Sequence, residues 1–233
     1  GAFDDMFRHS ITIMSKLHFV TTPGHAKRVE QIINKKENIF HVGAPALDNL
    51  LDLKLLSVVE FKESWGIDLS KPTVLVTFHP ETIASQKNIK YIRELCMAMD
   101  KLDKQFVITM PNNDTMGTQI RSEILSFVGD NLEKYKIIEV FGALGYYSCM
   151  KHCEFLLGNT SSGIIEAASF NKYVINIGDR QKGRESGSNV IHRPIQVNSI
   201  LEAVNKISSL PRFNSVNIYG NGDTTIKIVN ILK

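Results

Sequence analysis

The sequence predicts an α/β protein built around a Rossmann-like parallel sheet. Between Thr73 and Ile177, apolar runs of about five residues alternate with amphipathic stretches of helical period. The runs lack the polar alternation of a sheet with one wet face, so each strand is expected to be covered by helices on both sides. Polar and Gly-containing clusters recur directly after the runs, at the strand ends where such sheets bind ligands.

Taken in order, Asp4 to Lys16 sets Phe7, Ile11 and Met14, with Leu17 just beyond, on one helical face, with Asp4 and Asp5 at its N-terminal end. Leu17 to Thr21 reads as a buried strand, Pro23 to Ile33 as a helix opened by proline, and Ile39 to Val42 as a strand closed by Gly43. Helices are predicted over Pro45 to Leu56 and Val58 to Gly66, and the turn Asp68 to Pro72 marks the entrance to a second domain. There the alternation becomes regular: strand Thr73 to Phe78, helix Asn88 to Asp100, strand Gln105 to Met110, helix Met116 to Val128, strand Lys136 to Val140, helix Tyr146 to Lys151, strand Glu154 to Leu157. A helix beginning at Ile164, a strand Tyr173 to Ile177, a Gly/Arg loop Asp179 to Gly187, and helices Ile200 to Leu210 and Thr224 to Leu232 complete the chain.

At 233 residues and 43% hydrophobic content the chain has ample material for a core. Its net charge of +3 comes from scattered basic residues, so composition carries no nucleic-acid footprint, while small acidic ligands remain open. No apolar stretch approaches the roughly 20 residues that span a bilayer, and no membrane partner is expected. Cys96, Cys149 and Cys153 are odd in number and unpaired in spacing, which suits a reducing, cytoplasmic compartment. His152 between two of them matches no zinc spacing, so a metal site is not expected there.

The strand ends supply the candidate site. Thr160, Ser161, Ser162 and Gly163 gather hydroxyls and free amides where a strand hands over to a helix, a place suited to phosphate, and Glu166 could accept from ribose hydroxyls. The same residues also fit an ordinary capped helix. His79, after its strand and before Pro80, could bond a phosphate or transfer a proton, or simply close a turn. Arg180 and Arg184 could clamp a diphosphate or form a solvated loop. Asp4 and Asp5 could exchange protons or merely complement a helix dipole, and Trp65, Tyr146 and Tyr147 read as packing residues.

Together, Phe3-Asp-Asp5 with Arg8-His-Ser-Ile-Thr12, His79-Pro80, Pro111-Asn112, Gly158-Asn-Thr-Ser-Ser-Gly163 with Glu166, Gly178-Asp-Arg-Gln-Lys-Gly-Arg-Glu185 and Ile218-Tyr-Gly220 resemble one family. It is the hydrolysing UDP-N-acetylglucosamine 2-epimerases, which make N-acetylmannosamine for sialic acid and capsule biosynthesis. The resemblance implies a glycosyltransferase-B-like fold, a UDP-binding Rossmann-like domain over residues 73–212, and a sugar held in an interdomain cleft. By the same resemblance residues 1–43 are the tail of a second Rossmann-like domain, 44–72 are linker helices, and 213–233 form a C-terminal helix crossing back to that domain.

The resemblance further implies that Thr160, Ser161, Ser162, Gly163 and Glu166 hold UDP, that Arg180 closes on it, and that Asn112 lies near the nucleotide. His79 would contact the diphosphate and help it leave, and Asp4, with Asp5 beside it, would move protons at the sugar. Proton loss at C2 with departure of UDP, followed by hydration, needs no metal or redox cofactor. Family members carry an additional N-terminal stretch ahead of the position of Gly1, so the sequence as it stands is expected to keep UDP contacts and to lack part of the sugar site. A homodimer or homotetramer is implied. Two UDP-acetamido sugars stay open, UDP-N-acetylglucosamine and a 4-acetamido-dideoxy analogue. A glycosyltransferase of the same fold and a non-catalytic nucleotide-sugar-binding module are the competing expectations.

Overall fold

The computed structural model describes residues 2–81, 85–111 and 117–233. The chain divides into two compact units, Gly1–Leu53 with Val216–Lys233, and Lys54–Ser215.

In the first unit, α1 (Ala2–Met14) precedes β1 (His18–Val20), α2 (Pro23–Ile33) and β2 (Ile39–His41), and the two strands pair in parallel with His18 opposite Ile39. The hydroxyl of Thr22 caps α2 by accepting the His25 N–H at 3.2 Å, with Pro23 in the first turn, where its missing N–H costs nothing. Asn34, in the left-handed region at φ 53°, ends the helix.

The helix expected over Pro45 to Leu56 is cut to a 3₁₀ turn, Pro45–Leu47, and a single α-turn, α3 (Asp48–Leu51). Two competing sets of bonds explain the cut. The Asp48 carboxylate accepts from the backbone N–H groups of Thr224 and Thr225, at 3.1 and 2.6 Å, and so ties the start of the C-terminal helix, Thr224–Leu232, to this segment. Farther on, within the second unit, Leu56 gives its N–H to Ser148 Oγ (3.0 Å) and its carbonyl is bonded by the His152 ring (2.8 Å), so that segment is spent outside a helix.

The second unit opens with α4 (Val58–Trp65), started by a capping box between Ser57 and Glu60. Then come β3 (Thr73–Thr77), α5 (Asn88–Asp100), β4 (Gln105–Thr109), α6 (Gly117–Val128), β5 (Tyr135–Ile138) and α7 (Gly142–His152). They are followed by β6 (Phe155–Gly158), α8 (Ser161–Ile165), β7 (Tyr173–Ile177), β8 (Val190–Arg193) and α9 (Val197–Ser209). The six strands form one parallel sheet in the order β5-β4-β3-β6-β7-β8.

Both faces are buried. Val74, Val76, Phe106, Ile108, Phe155, Leu157, Ile175 and Ile177 pack with α5, α6 and α9 on one side, while Leu75, Val107, Leu156 and Val174 pack with α4 and α7 on the other. Alternate residues of each strand thus serve opposite cores, which is why the strands read as unbroken apolar runs.

Several boundaries differ from the sequence expectation; α9, for example, starts at Val197 rather than Ile200. β5 runs Tyr135–Ile138 rather than Lys136 to Val140, and Tyr135 stacks on Phe106 with ring centroids 5.7 Å apart. α7 starts at Gly142 rather than Tyr146, and Gly145 leaves room for Phe141 and Trp65, whose rings would meet an added Cβ at 2.9 Å. α8 starts at Ser161 rather than Ile164 and gives way to a 3₁₀ turn, Ala167–Phe170. β8 is an unforeseen edge strand. Among the described residues no helix is long and apolar enough to cross a membrane.

Candidate active site

The strand order reverses between β3 and β6, since β4 and β5 extend the sheet to one side of β3 and β7 and β8 extend it beyond β6. In an open parallel sheet such a reversal opens a crevice at the carboxyl ends of the two strands. His79 lies two residues past β3, and Asn159 and Thr160 directly follow β6. Gly158 permits the close approach of these ends. Its φ of +146° and an added Cβ only 1.9 Å from Thr77 O both demand glycine.

Asn159, fully buried, knots the crevice together. Its side chain accepts the His79 N–H at 2.7 Å and donates to the His79 carbonyl at 2.8 Å. Its own N–H donates to Thr77 O (3.1 Å), and its carbonyl accepts from Gln181 Nε2 (2.8 Å) and Arg180 Nη1 (3.3 Å). The loop after β7 is held a second time by Glu81, whose Oε1 accepts the Asp179 N–H at 2.7 Å. The main chain of Glu81 is fixed in turn by both ends of the Asn88 amide. A loop that reads from its sequence as a free Gly/Arg segment is thus built from turns, with Gln181 buried beneath it.

Thr160 caps α8, its hydroxyl accepting the Ser162 N–H at 3.3 Å, and Ser161 and Ser162 are half-buried beside it. Gly163 lets α8 press on β7, where a Cβ would sit 2.9 Å from Val174 Cγ1. Because α8 has only five residues, few peptide dipoles align behind this turn. Its attraction for an anion therefore rests on hydroxyls, local amides and the neighbouring guanidinium groups rather than on a long helix.

Glu166 is 7% exposed, and its Oε2 has no hydrogen-bond partner among the described residues. Burial pushes its carboxyl up to about 7, against the opposing pull of its own backbone N–H, Arg184 and Tyr147. Tyr146, which reads as a packing residue, places its buried hydroxyl toward those of Thr77, Ser162 and Thr160 without closing a hydrogen bond of normal geometry. Burial pushes that phenol up to about 12. Tyr147 does pack, stacking on Phe170 at 5.8 Å, and Trp65 packs edge-on against Phe141 at 4.7 Å.

Of the residues singled out in the sequence, His79, Thr160, Ser161, Ser162, Gly163, Glu166 and Arg180 all belong to the second unit, and Asn159 links His79, the Thr160 turn and Arg180 directly. Asp4 and Asp5 fall in α1 of the first unit. Asn112 lies outside the described residues. Asn159, Glu81 and Gln181 stand in the strand-end clusters and motifs of the sequence, but nothing local marks them as the side chains that tie the crevice together. A cavity of about 490 Å³ also opens along this edge, lined by Glu81, Gly178, Asp179, Lys182, His192 and Arg193 among others, but by none of Thr160 to Gly163.

The family model described as UDP-N-acetylglucosamine 2-epimerase matches residues 1–233. The UDP-N,N'-diacetylbacillosamine 2-epimerase (hydrolyzing) of Legionella pneumophila is 34% identical over 234 residues, covering 100% of this chain and 61% of the relative. The polysialic acid biosynthesis protein P7 of Escherichia coli is 36% identical over 238 residues, covering 99% of this chain and 60% of its own length. Among solved structures, UDP-GlcNAc 2-epimerase from Neisseria meningitidis bound to UDP-GlcNAc superposes with a TM-score of 0.77 at 18% identity, over 95% of this chain and 62% of that one. The chain thus spans about 60% of the length of these curated relatives, and the likeness in structure concerns its α/β, glycosyltransferase-B-like fold.

Proposed function

The chain belongs to the UDP-N-acetylglucosamine 2-epimerase family, and we propose that the native protein is a hydrolysing 2-epimerase. It would convert UDP-N-acetylglucosamine, or a close UDP-acetamido sugar such as the diacetylated substrate named for the Legionella relative, to UDP and the free 2-epimeric sugar. The observation that carries this reading is the Asn159 junction at the β3/β6 crevice, which ties the main chain of a histidine and the guanidinium of an arginine to the start of a hydroxyl-lined turn.

The chemistry asks for two things at once. A weak carbon acid at sugar C2 must lose its proton while the C1–O bond to the diphosphate breaks, the C–H electron pair becoming the C1=C2 bond and the C–O pair leaving with UDP. Water then adds its OH to C1, and a proton returns to C2 on the opposite face. The first step is fast only when the departing diphosphate is stabilised as its charge develops. On this reading the Thr160, Ser161 and Ser162 hydroxyls and the amide of Gly163 hold the phosphates, with Arg180 from the loop after β7 neutralising them. Asn112 lies near the nucleotide and Glu166 accepts from the ribose hydroxyls.

His79, on a half-buried strand end, meets the leaving diphosphate and supplies a proton or hydrogen bond to it. Asp4, with Asp5 as neighbour, serves the proton at C2. No metal or redox group is required by these two steps, and a homodimer or homotetramer in the cytoplasm remains the proposed setting. The test is coupled detection of UDP released from each candidate UDP-sugar without any acceptor. Release at enzymatic rates supports the epimerase, and release only on adding an acceptor sugar would identify a glycosyltransferase instead.

A further inference from the structure

We infer that Asn159 is a positioning residue for this reaction, its side-chain amide setting the main chain that carries His79. The inference rests on the role proposed above for His79. The last paired residues of β3 and β6 are Thr77 and Gly158, so the sheet ladder has stopped before His79 is reached. At that point the Asn159 amide takes the place of a ladder partner, accepting from His79 N–H at 2.7 Å and donating to His79 O at 2.8 Å. Two strands that would begin to splay at the reversal are thereby held together where the histidine must face its ligand.

Only a short carboxamide offers a donor and an acceptor side by side in one plane, matching the N–H and C=O of one residue. Aspartate has the same shape but presents two acceptors, which sets an oxygen against the His79 carbonyl. Asn159 is fully buried, so no solvent replaces a lost bond. The division of labour inside the residue is also specific. The carbonyl that holds Arg180 and Gln181 is main chain and survives any side-chain substitution, whereas the bonds to His79 are made by the side chain alone.

The experiment compares the native gene product with Asn159→Asp, His79→Ala and the double variant, reading kcat, KM and the Kd for UDP. Because a misplacement of about 1 Å costs on the order of 100-fold in rate, Asn159→Asp is expected to lower kcat by about that factor, with a smaller change in KM. Loss of His79 placement and loss of His79 itself are one loss, so the double variant is expected within about threefold of His79→Ala alone. A merely structural role would give multiplying losses, and that result, or a normal kcat in Asn159→Asp, overturns the inference. Should the aspartate variant not fold, hydrogen exchange at the His79 amide of the wild-type protein decides: protection agrees, and exchange as fast as in an unbonded amide overturns it. A normal rate in His79→Ala would instead overturn the role of His79, and the inference with it.

Discussion

Burial raises the pKa of the Glu166 carboxyl to about 7 from an ordinary 4.5, so it stays protonated in mild acid. The sign for stability follows from the native state binding that proton more tightly than the unfolded chain. The contribution is full below about 4.5 and is lost as pH rises through about 7. Glu166→Gln, which never ionises, is therefore expected to be more stable than wild type at pH 8, by up to about 3 kcal/mol; equal melting points at that pH would contradict the assignment. On the proposed contact of Glu166 with the ribose, binding runs the other way, because hydroxyls donate best to the ionised form. UDP affinity of the wild type should rise across pH 7 relative to that of Glu166→Gln. Calorimetry at pH 8 should find the glutamine variant weaker by about tenfold, the worth of a hydrogen bond to a charged group.

At the scale of elements, the site depends on how closely β3 and β6 end together and on how the C-terminal helix begins. Gly158→Ala would force a methyl group to 1.9 Å from the Thr77 carbonyl in a backbone region that disfavours side chains. The expected outcome is loss of UDP binding with a melting temperature lowered by several degrees or no folding at all; an unchanged melting curve would show that the two strand ends are not packed as described. Asp48 accepts three bonds from Thr224 and Thr225 across 176 and 177 positions of sequence, which together overcome the opposing effect of burial and hold its carboxyl below 3.8. A depressed carboxylate stabilises above its unfolded pKa and loses that contribution as pH falls below about 4. Asp48→Ala is accordingly expected to cost about 1 kcal/mol, a usual N-cap value, and to expose Thr224–Leu232 to proteolysis at neutral pH. Wild-type resistance to protease in that variant would contradict the capping role.

For the whole molecule, the sheet was legible because its strands are buried on both faces and therefore spell continuous apolar runs. β8 was not, because an edge strand of four residues, half-exposed and stopped by Pro194, carries too little pattern to stand out from a loop. The strand-end positions of His79 and Thr160, on which the proposed site rests, were legible from the apolar runs that precede them. Asn159 was hidden for the opposite reason, since a side chain bonded to main chain 80 residues away leaves no periodic trace in either segment. Strand ends alone leave open a well-capped turn or a nucleotide site, and the family motifs are what favour the second reading proposed above. The central claim, elimination of UDP with a proton exchanged at C2, is tested most directly by NMR of the native gene product turning over UDP-N-acetylglucosamine and UDP-N,N'-diacetylbacillosamine in heavy water. The account predicts that at least one of them yields UDP and a free sugar of inverted C2 configuration carrying one deuterium at that carbon. Sugar released from either with its original configuration and hydrogen at C2, or no UDP released from both, would contradict it.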